Sequence, residues 1–216
     1  MKVFDSLKKK AEESKKVIVF PEGNDDRIIK AAVRLEKEGI VKPLLLGKPD
    51  EVIETAQSLN VDLGSIEIIN PAVYPDFEKM CQDFIELRKG KNTLAEAKKI
   101  LQDVSYFGTM LVYEGKADGM VSGATHSTAN TVRPALQIIK TKKGMSRVSG
   151  AMIMERGDEK YIFADCAINI DPDSETLAEI AYQSSKTAEM IGLEPKIAML
   201  SFSTKGSAKD PMVTKV

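Results

Sequence analysis

The chain has 216 residues, with 32 acidic and 31 basic side chains and a net charge of −1. A balance this close to neutral argues against a protein built mainly to neutralise a nucleic-acid backbone. Its 43% hydrophobic content is ordinary for a globular protein and too high for a disordered one, and the length allows one large domain or two small ones.

Cys81 and Cys166 are too few for a disulfide framework or a metal-ligand cluster, and a reducing cytoplasm suits them. The N-terminal 1–16 stretch is charged and amphipathic, without the apolar core of a signal peptide. No uncharged apolar run approaches the ~18 residues needed to span a bilayer. Secreted, membrane-spanning and disulfide-stapled classes are excluded on these grounds.

What recurs along the chain is a short β-rich run followed by an amphipathic helix. Val17–Phe20 is an apolar run closed by Pro21, and residues 22–26 form a turn. A helix is predicted over 25–38, with Ile28, Ile29, Ala32 and Leu35 on one face and Gly39 at its end. Val41–Leu46 repeats the strand signal, and Pro49-Asp50 opens a helix. Ile66–Ile69 reads as a third strand, and Pro75-Asp76 opens a helix towards Arg88. Helices over 93–103 and 105–113 and a strand over 117–121 follow. This alternation implies an α/β fold, a largely parallel sheet sandwiched by helices.

The pattern changes after the basic stretch 140–144, which places a domain boundary near 145 and divides the chain into 1–145 and 146–216. Residues 148–155 and 160–164 read as an antiparallel hairpin. A helix over 174–191 and a strand over Lys196–Ser201 come next. Asp210-Pro211 starts a further helix. A second domain with so few elements has a thin core, so the chain is expected to be a fragment of a longer protein.

Ligands of open α/β sheets bind outside the carboxyl ends of the strands, and three loops qualify. The first, Glu22–Arg27, is accounted for as a helix-capping turn through Asp25 or Asp26. The second, Ser122–Pro134, offers hydroxyls, free backbone N–H groups near a helix N-terminus and Arg133. Those parts suit a phosphate; a polar cap with a solvated arginine is the competing reading. The third, Ser201–Ser207, has a phosphate-cradling composition but is not a P-loop.

Single residues carry less. His126 could act as a base, although a lone loop histidine usually does not. Cys166 has no adjacent base to make it a nucleophile and reads as a small buried residue at a strand end. Arg88 closes a helix, where a cation suits the dipole regardless of function. The 10 methionines are scattered and read as core filling.

Four segments resemble the phosphate acetyltransferase family: Val19-Phe-Pro-Glu-Gly23, Asp118–Ala135, Phe163–Asn169 and Leu200–Ser207. The match runs in order across the chain and corresponds to the N-terminal two-thirds of the family; phosphate butyryltransferases are more distant relatives. The resemblance implies two α/β domains like those of isocitrate and isopropylmalate dehydrogenases, the second incomplete here, with the active site between them. It implies acetyl-CoA + phosphate ⇌ acetyl phosphate + CoA, through direct attack of the CoA thiolate in a ternary complex. CoA enters as substrate and no cofactor or metal is implied. The other partners are phosphate, acetyl phosphate and a second copy of the chain in a homodimer, in the cytoplasm, with neither nucleic acid nor membrane.

By the same resemblance Arg133 and Arg88 are the catalytic arginines, and Ser127, Thr128 and Thr131 belong to the phosphate-binding segment. Ser203, Thr204, Gly206 and Ser207 form the second-domain loop facing the cleft. The family's Ser-Arg-Gly segment and base aspartate have no counterpart here, so the chain alone is expected to turn over poorly. A non-catalytic acyl-phosphate-binding module is the alternative of a different class. A dehydrogenase lacks its G-x-G-x-x-G support.

Overall fold

The computed structural model describes residues 3–216, and the part of the N-terminal stretch formed by Met1 and Lys2 lies outside them. The chain divides into two compact units. One is Lys8–Lys140; the other gathers Thr141–Val216 with the start of the N-terminal helix.

The first unit contains most of α1 (Val3–Ser14), then β1 (Val17–Phe20), α2 (Asp26–Lys37), β2 (Lys42–Leu46), α3 (Pro49–Ser58) and β3 (Glu67–Ile69). A single 3-10 turn, Pro71–Val73, leads to α4 (Phe77–Leu87), α5 (Leu94–Ile100), α6 (Val104–Tyr113), β4 (Gly119–Met120) and α7 (Thr128–Ile138). All pairings are parallel, in the order β3-β2-β1-β4. The order reverses between β1 and β4, which makes their carboxyl ends the topological switch point.

Side chains alternate across the strands and feed two separate cores. Val19, Leu44 and Leu46 pack with Met80, Phe84, Leu101, Phe107, Met110 and Ile138 from α4 to α7. Phe20 and Leu45 pack on the opposite face with Ile29, Val33, Val52 and Ala56 of α2 and α3. Each fully buried phenylalanine stabilises this arrangement by about 2–3 kcal/mol. Helix starts follow local chemistry. Asp25 accepts from Arg27 N and Ile28 N, Thr93 and Glu96 form a capping box, and Asp103 accepts from Ser105 N and Tyr106 N.

The second unit contains the antiparallel hairpin of β5 (Ala151–Arg156) and β6 (Glu159–Ala164), then α8 (Ser174–Met190) and the one-turn α9 (Pro211–Thr214). Asp173 and Asp210 cap the two helices. Lys196–Ser201, predicted as a strand, is not one. No strand lies beside it among the described residues, its backbone has no ladder to join, and Ile197 and Leu200 are exposed. The methionines also divide: Met80 and Met110 are buried, whereas Met152, Met154, Met190 and Met212 are exposed and fill no core.

Two glycines set how closely the layers approach. Gly108 lets α6 lie against the sheet, since a Cβ there would sit 2.9 Å from Met120 Sδ. At Gly23 a Cβ would fall 2.4 Å from the Leu46 carbonyl oxygen, which accepts from Gly23 N at 3.1 Å. Backbone cannot swing aside as a side-chain tip can. Gly23→Ala is therefore expected to destabilise the protein by about 3 kcal/mol, the upper end for overpacking, measured by urea unfolding.

Candidate functional site

Glu22 leaves the end of β1 and points its carboxylate into the loop that follows β4. Its side chain is 1% exposed. Oε2 accepts from Gly123 N at 3.0 Å and Ala124 N at 2.9 Å. Oε1 accepts from Thr125 N at 2.6 Å, His126 N at 2.8 Å and Thr125 Oγ1 at 3.1 Å. His126 Nδ1 lies 2.9 Å from the same oxygen. Burial by itself pushes this carboxyl up. The backbone amides of Thr125, His126 and Ala124, with the imidazole, outweigh that and bring it down to about 2. Nearby, Arg27 links Asp25 to Ala124 O at 2.7 Å, so the first two candidate loops are one hydrogen-bonded body.

This arrangement corrects one expectation. The backbone N–H groups of Gly123–His126, read as free for a phosphate, are filled by a carboxylate of the chain itself. The nest is an anion site whose anion is Glu22.

The remaining parts of the second loop lie beyond the nest. Ser127 is the N-cap of α7 and accepts from Asn130 N at 3.3 Å, which leaves its hydroxyl hydrogen available. Thr131 Oγ1 stands 3.5 Å from Ser122 Oγ. Thr128 and its neighbour Ala129 supply first-turn amides with no partner among the described residues. Arg133 follows on α7, exposed and without a hydrogen-bond or ion-pair partner among the described residues.

Arg88 is the C-cap of α4, and its Nε is buried without a partner. Tyr106 relates the two arginines. Its hydroxyl donates to Gln137 Oε1 at 3.1 Å, one turn along α7 from Arg133, and its ring meets Phe84 of α4 edge-on at 6.3 Å. Burial raises the Tyr106 phenol, and the charges of Arg133 and, more weakly, Arg88 act against that rise. The two arginines thus share one neighbourhood around the α4, α6 and α7 helices.

On the other side of the nest, a cleft of about 530 Å³ opens at the carboxyl ends of β1, β2 and β3. Pro21, Leu46, Pro71 and Val104 give it apolar walls, and His126 borders it. Sequence reasoning reached Glu22, Asn24 and Thr125 only as members of the first two loops and selected none of Lys48, Glu51, Asn70 and Gln102. The available signal was positional: Gly47-Lys48 and Asn70 each follow a strand directly.

In the second unit, Ser203, Thr204, Gly206 and Ser207 form a compact turn that folds onto itself. Ser203 Oγ accepts from Ala208 N, and Ser207 Oγ accepts from Thr204 N, both at 3.2 Å. Lys205 and Gly206 hold the turn with φ of 49° and 77°. Asp165 repeats the Glu22 device on a smaller scale: it accepts from Ala167 N, Ile168 N and Asn169 N and from the Asn169 amide. Burial raises its carboxyl, but these donors bring it down to about 2. The adjacent Cys166 is exposed, contrary to the buried position expected for it. The turn drawn round Asp165 carries the chain away from β6 before any packed layer covers the thiol.

Glu22 has a measurable signature. Its folded pKa of about 2 lies below the ordinary 4.5, so its stabilisation is complete above 4.5 and is lost as pH falls through about 2. The difference corresponds to roughly 3 kcal/mol. Glu22→Gln, which replaces acceptor lone pairs by an NH2, should cost about that much at pH 7 and flatten the acid limb of stability against pH. Urea unfolding at several pH values reads both, and an unchanged acid limb would contradict the assignment.

With this geometry in view, the relatives can be placed. The profile of the family described as Phosphate acetyl/butaryl transferase matches residues 2–216. A phosphate acetyltransferase of Bacillus subtilis (strain 168) is 53% identical over 214 residues, 99% of this chain and 66% of the relative. One from Staphylococcus aureus (strain MRSA252) is 58% identical over 199 residues, 92% of this chain and 61% of the relative. Among solved structures, a phosphotransacetylase from Streptococcus pyogenes superposes with a TM-score of 0.94 at 56% identity, covering 99% of this chain and 66% of that one. The EutD phosphotransacetylase from Staphylococcus aureus gives 0.90 at 55%, covering 99% and 64%. The chain thus spans 61–66% of the length of these relatives. It belongs to the phosphate acetyl/butyryl transferase family.

Proposed function

We propose that this chain serves the reversible transfer of an acetyl group between CoA and inorganic phosphate. The observation that carries the reading is the start of α7. Hydroxyls of Ser127, Thr128 and Thr131, two unpartnered amides and the free guanidinium of Arg133 follow one another there in a family-matching segment. Hydroxyls, amides and a planar cation are the donors a phosphoryl group needs.

In this reading the CoA thiolate attacks the acetyl carbonyl of acetyl phosphate, the C–O bond to phosphate breaks, and the thiol proton ends on the released phosphate. Arg133 and the α7 hydroxyls hold the phosphoryl oxygens and stabilise the charge that gathers on them. Arg88, with its buried unpartnered Nε, supplies a second cation on the same side. Ser203, Thr204, Gly206 and Ser207 enter the proposal by the family resemblance alone. The proposal includes the dehydrogenase-like two-domain arrangement and CoA as substrate with no further cofactor. The protein would be a cytoplasmic homodimer. Support for the compartment comes from two unpaired cysteines, and for self-association from the exposed Met152, Met154, Tyr161 and Phe163 of the hairpin. No helix among the described residues is long and apolar enough to cross a membrane.

The test follows thioester formation from acetyl phosphate and CoA by the complete enzyme. Loss of a charge-assisted contact is worth about 1.5–3 kcal/mol, so Arg133→Ala should raise the half-saturating acetyl phosphate concentration about 10–100-fold. The dependence on CoA should change far less. An unchanged acetyl phosphate dependence would remove Arg133 from the site. Stabilisation by acetyl phosphate without any thioester would favour the non-catalytic binding reading.

A further inference from the structure

The cleft beside the Glu22 nest is lined by none of the hydroxyls or arginines given to phosphate above, and its chemistry differs from theirs. Its cation, Lys48, is held by Glu51 at 2.7 Å, so the pair presents little net charge. The Glu22 charge is consumed by its own six donors. What remains is amide chemistry. Asn70 Oδ1 accepts from Ala72 N at 3.0 Å and leaves its NH2 free, while Asn24 and Gln102 have no hydrogen-bond partner among the described residues.

One ring nitrogen completes the set. Glu22 is ionised and can only accept, so His126 Nδ1 carries the hydrogen between them. With Nδ1 as the donor, the uncharged tautomer presents Nε2 as an acceptor, and that atom has no protein partner among the described residues. A pair-neutralised cleft with apolar walls, side-chain amides and one nitrogen acceptor is a poor phosphate site. It suits a flexible, uncharged ligand with amides of its own and a hydrogen to give.

We propose that this cleft is a second binding site, for an uncharged amide-bearing chain ending in a thiol or hydroxyl, whose terminal hydrogen is accepted by Nε2 of His126. The inference rests on the functional reading only for the ligand's identity: the amide-bearing thiol of that reaction is the pantetheine arm of CoA. The phosphate end of the reaction would then lie at α7 and the thiol arm beyond the nest, with Glu22 fixing the loop between them.

The single histidine makes the experiment direct, since an imidazole nitrogen spectrum contains one ring. Pantetheine, which lacks the nucleotide, is titrated into the 216-residue protein labelled at histidine nitrogen. Saturable movement of the Nε2 signal is expected. Two variants should each weaken it about tenfold, the size of one lost hydrogen bond or a blocked wall. They are His126→Gln, read through the amides of Thr125 and Gly47, and Ala72→Phe at the exposed edge of the cleft. Ala72→Phe leaves the nest untouched and keeps the test open if His126→Gln misfolds. Pantetheine that leaves Nε2 unmoved, or that binds Ala72→Phe as well as the parent, overturns the proposal. So does inorganic phosphate that moves Nε2 equally. A parallel titration with acetyl phosphate separates the two readings. If the Thr128 amide and Arg133 guanidinium respond to it while pantetheine leaves Nε2 still, the cleft proposal falls and the acyltransferase reading stands.

Discussion

A buried carboxylate with six hydrogen-bond donors sets the geometry of the N-terminal unit. Glu22 lies 101–104 residues from the amides it binds, so each hydrogen bond closes a long loop between β1 and the segment after β4. A neutral side chain could not satisfy four converging N–H groups, and leaving them unpaired would cost about 1–3 kcal/mol each. The carboxylate therefore decides where the switch-point loop runs. With the nest filled, the amides of Gly123–His126 are closed to an incoming anion.

Asp165 shows the same solution in the second unit, where one carboxylate gathers three successive amides and a side-chain amide. Both carboxylates sit inside segments that carry the family resemblance. The acidic residues of Phe-Pro-Glu-Gly and Phe-Ala-Asp-Cys thus shape backbone, and in both cases a more reactive-looking neighbour, His126 or Cys166, is displayed as a consequence. A motif match alone cannot separate the residue that holds a loop from the residue the loop presents. Hydrogen-bond geometry can.

Local features were legible in the sequence because they are encoded locally. The apolar runs that became β1, β2 and β3, the cap at Asp25, and Pro211 at the first position of α9 all depend on neighbours within a few residues. The hairpin was readable from two alternating runs around Arg156–Glu159. What escaped depends on distant partners. Lys196–Ser201 has the composition of a strand but no ladder beside it. Glu22 looked like part of a capping turn because its partners arrive a hundred residues later. The cleft could be anticipated only as a location, at strand ends, since its amides come from separate loops. Serine, threonine and arginine at the start of α7 stood out because they are contiguous.

Charge closes the argument about the site. Nine lysines of the described residues, from Lys8 to Lys215, have ion-pair partners on the chain's surface. With a net charge of −1 there is no broad positive field to draw a phosphate in from a distance. Affinity for an anion must then be built at short range, from planar donors that no carboxylate of the chain has claimed. Arg133 is free in this sense, and Arg88 keeps a buried Nε without a partner. The two guanidinium groups around Tyr106 have no carboxylate partner among the described residues, so neither has an ion pair to break.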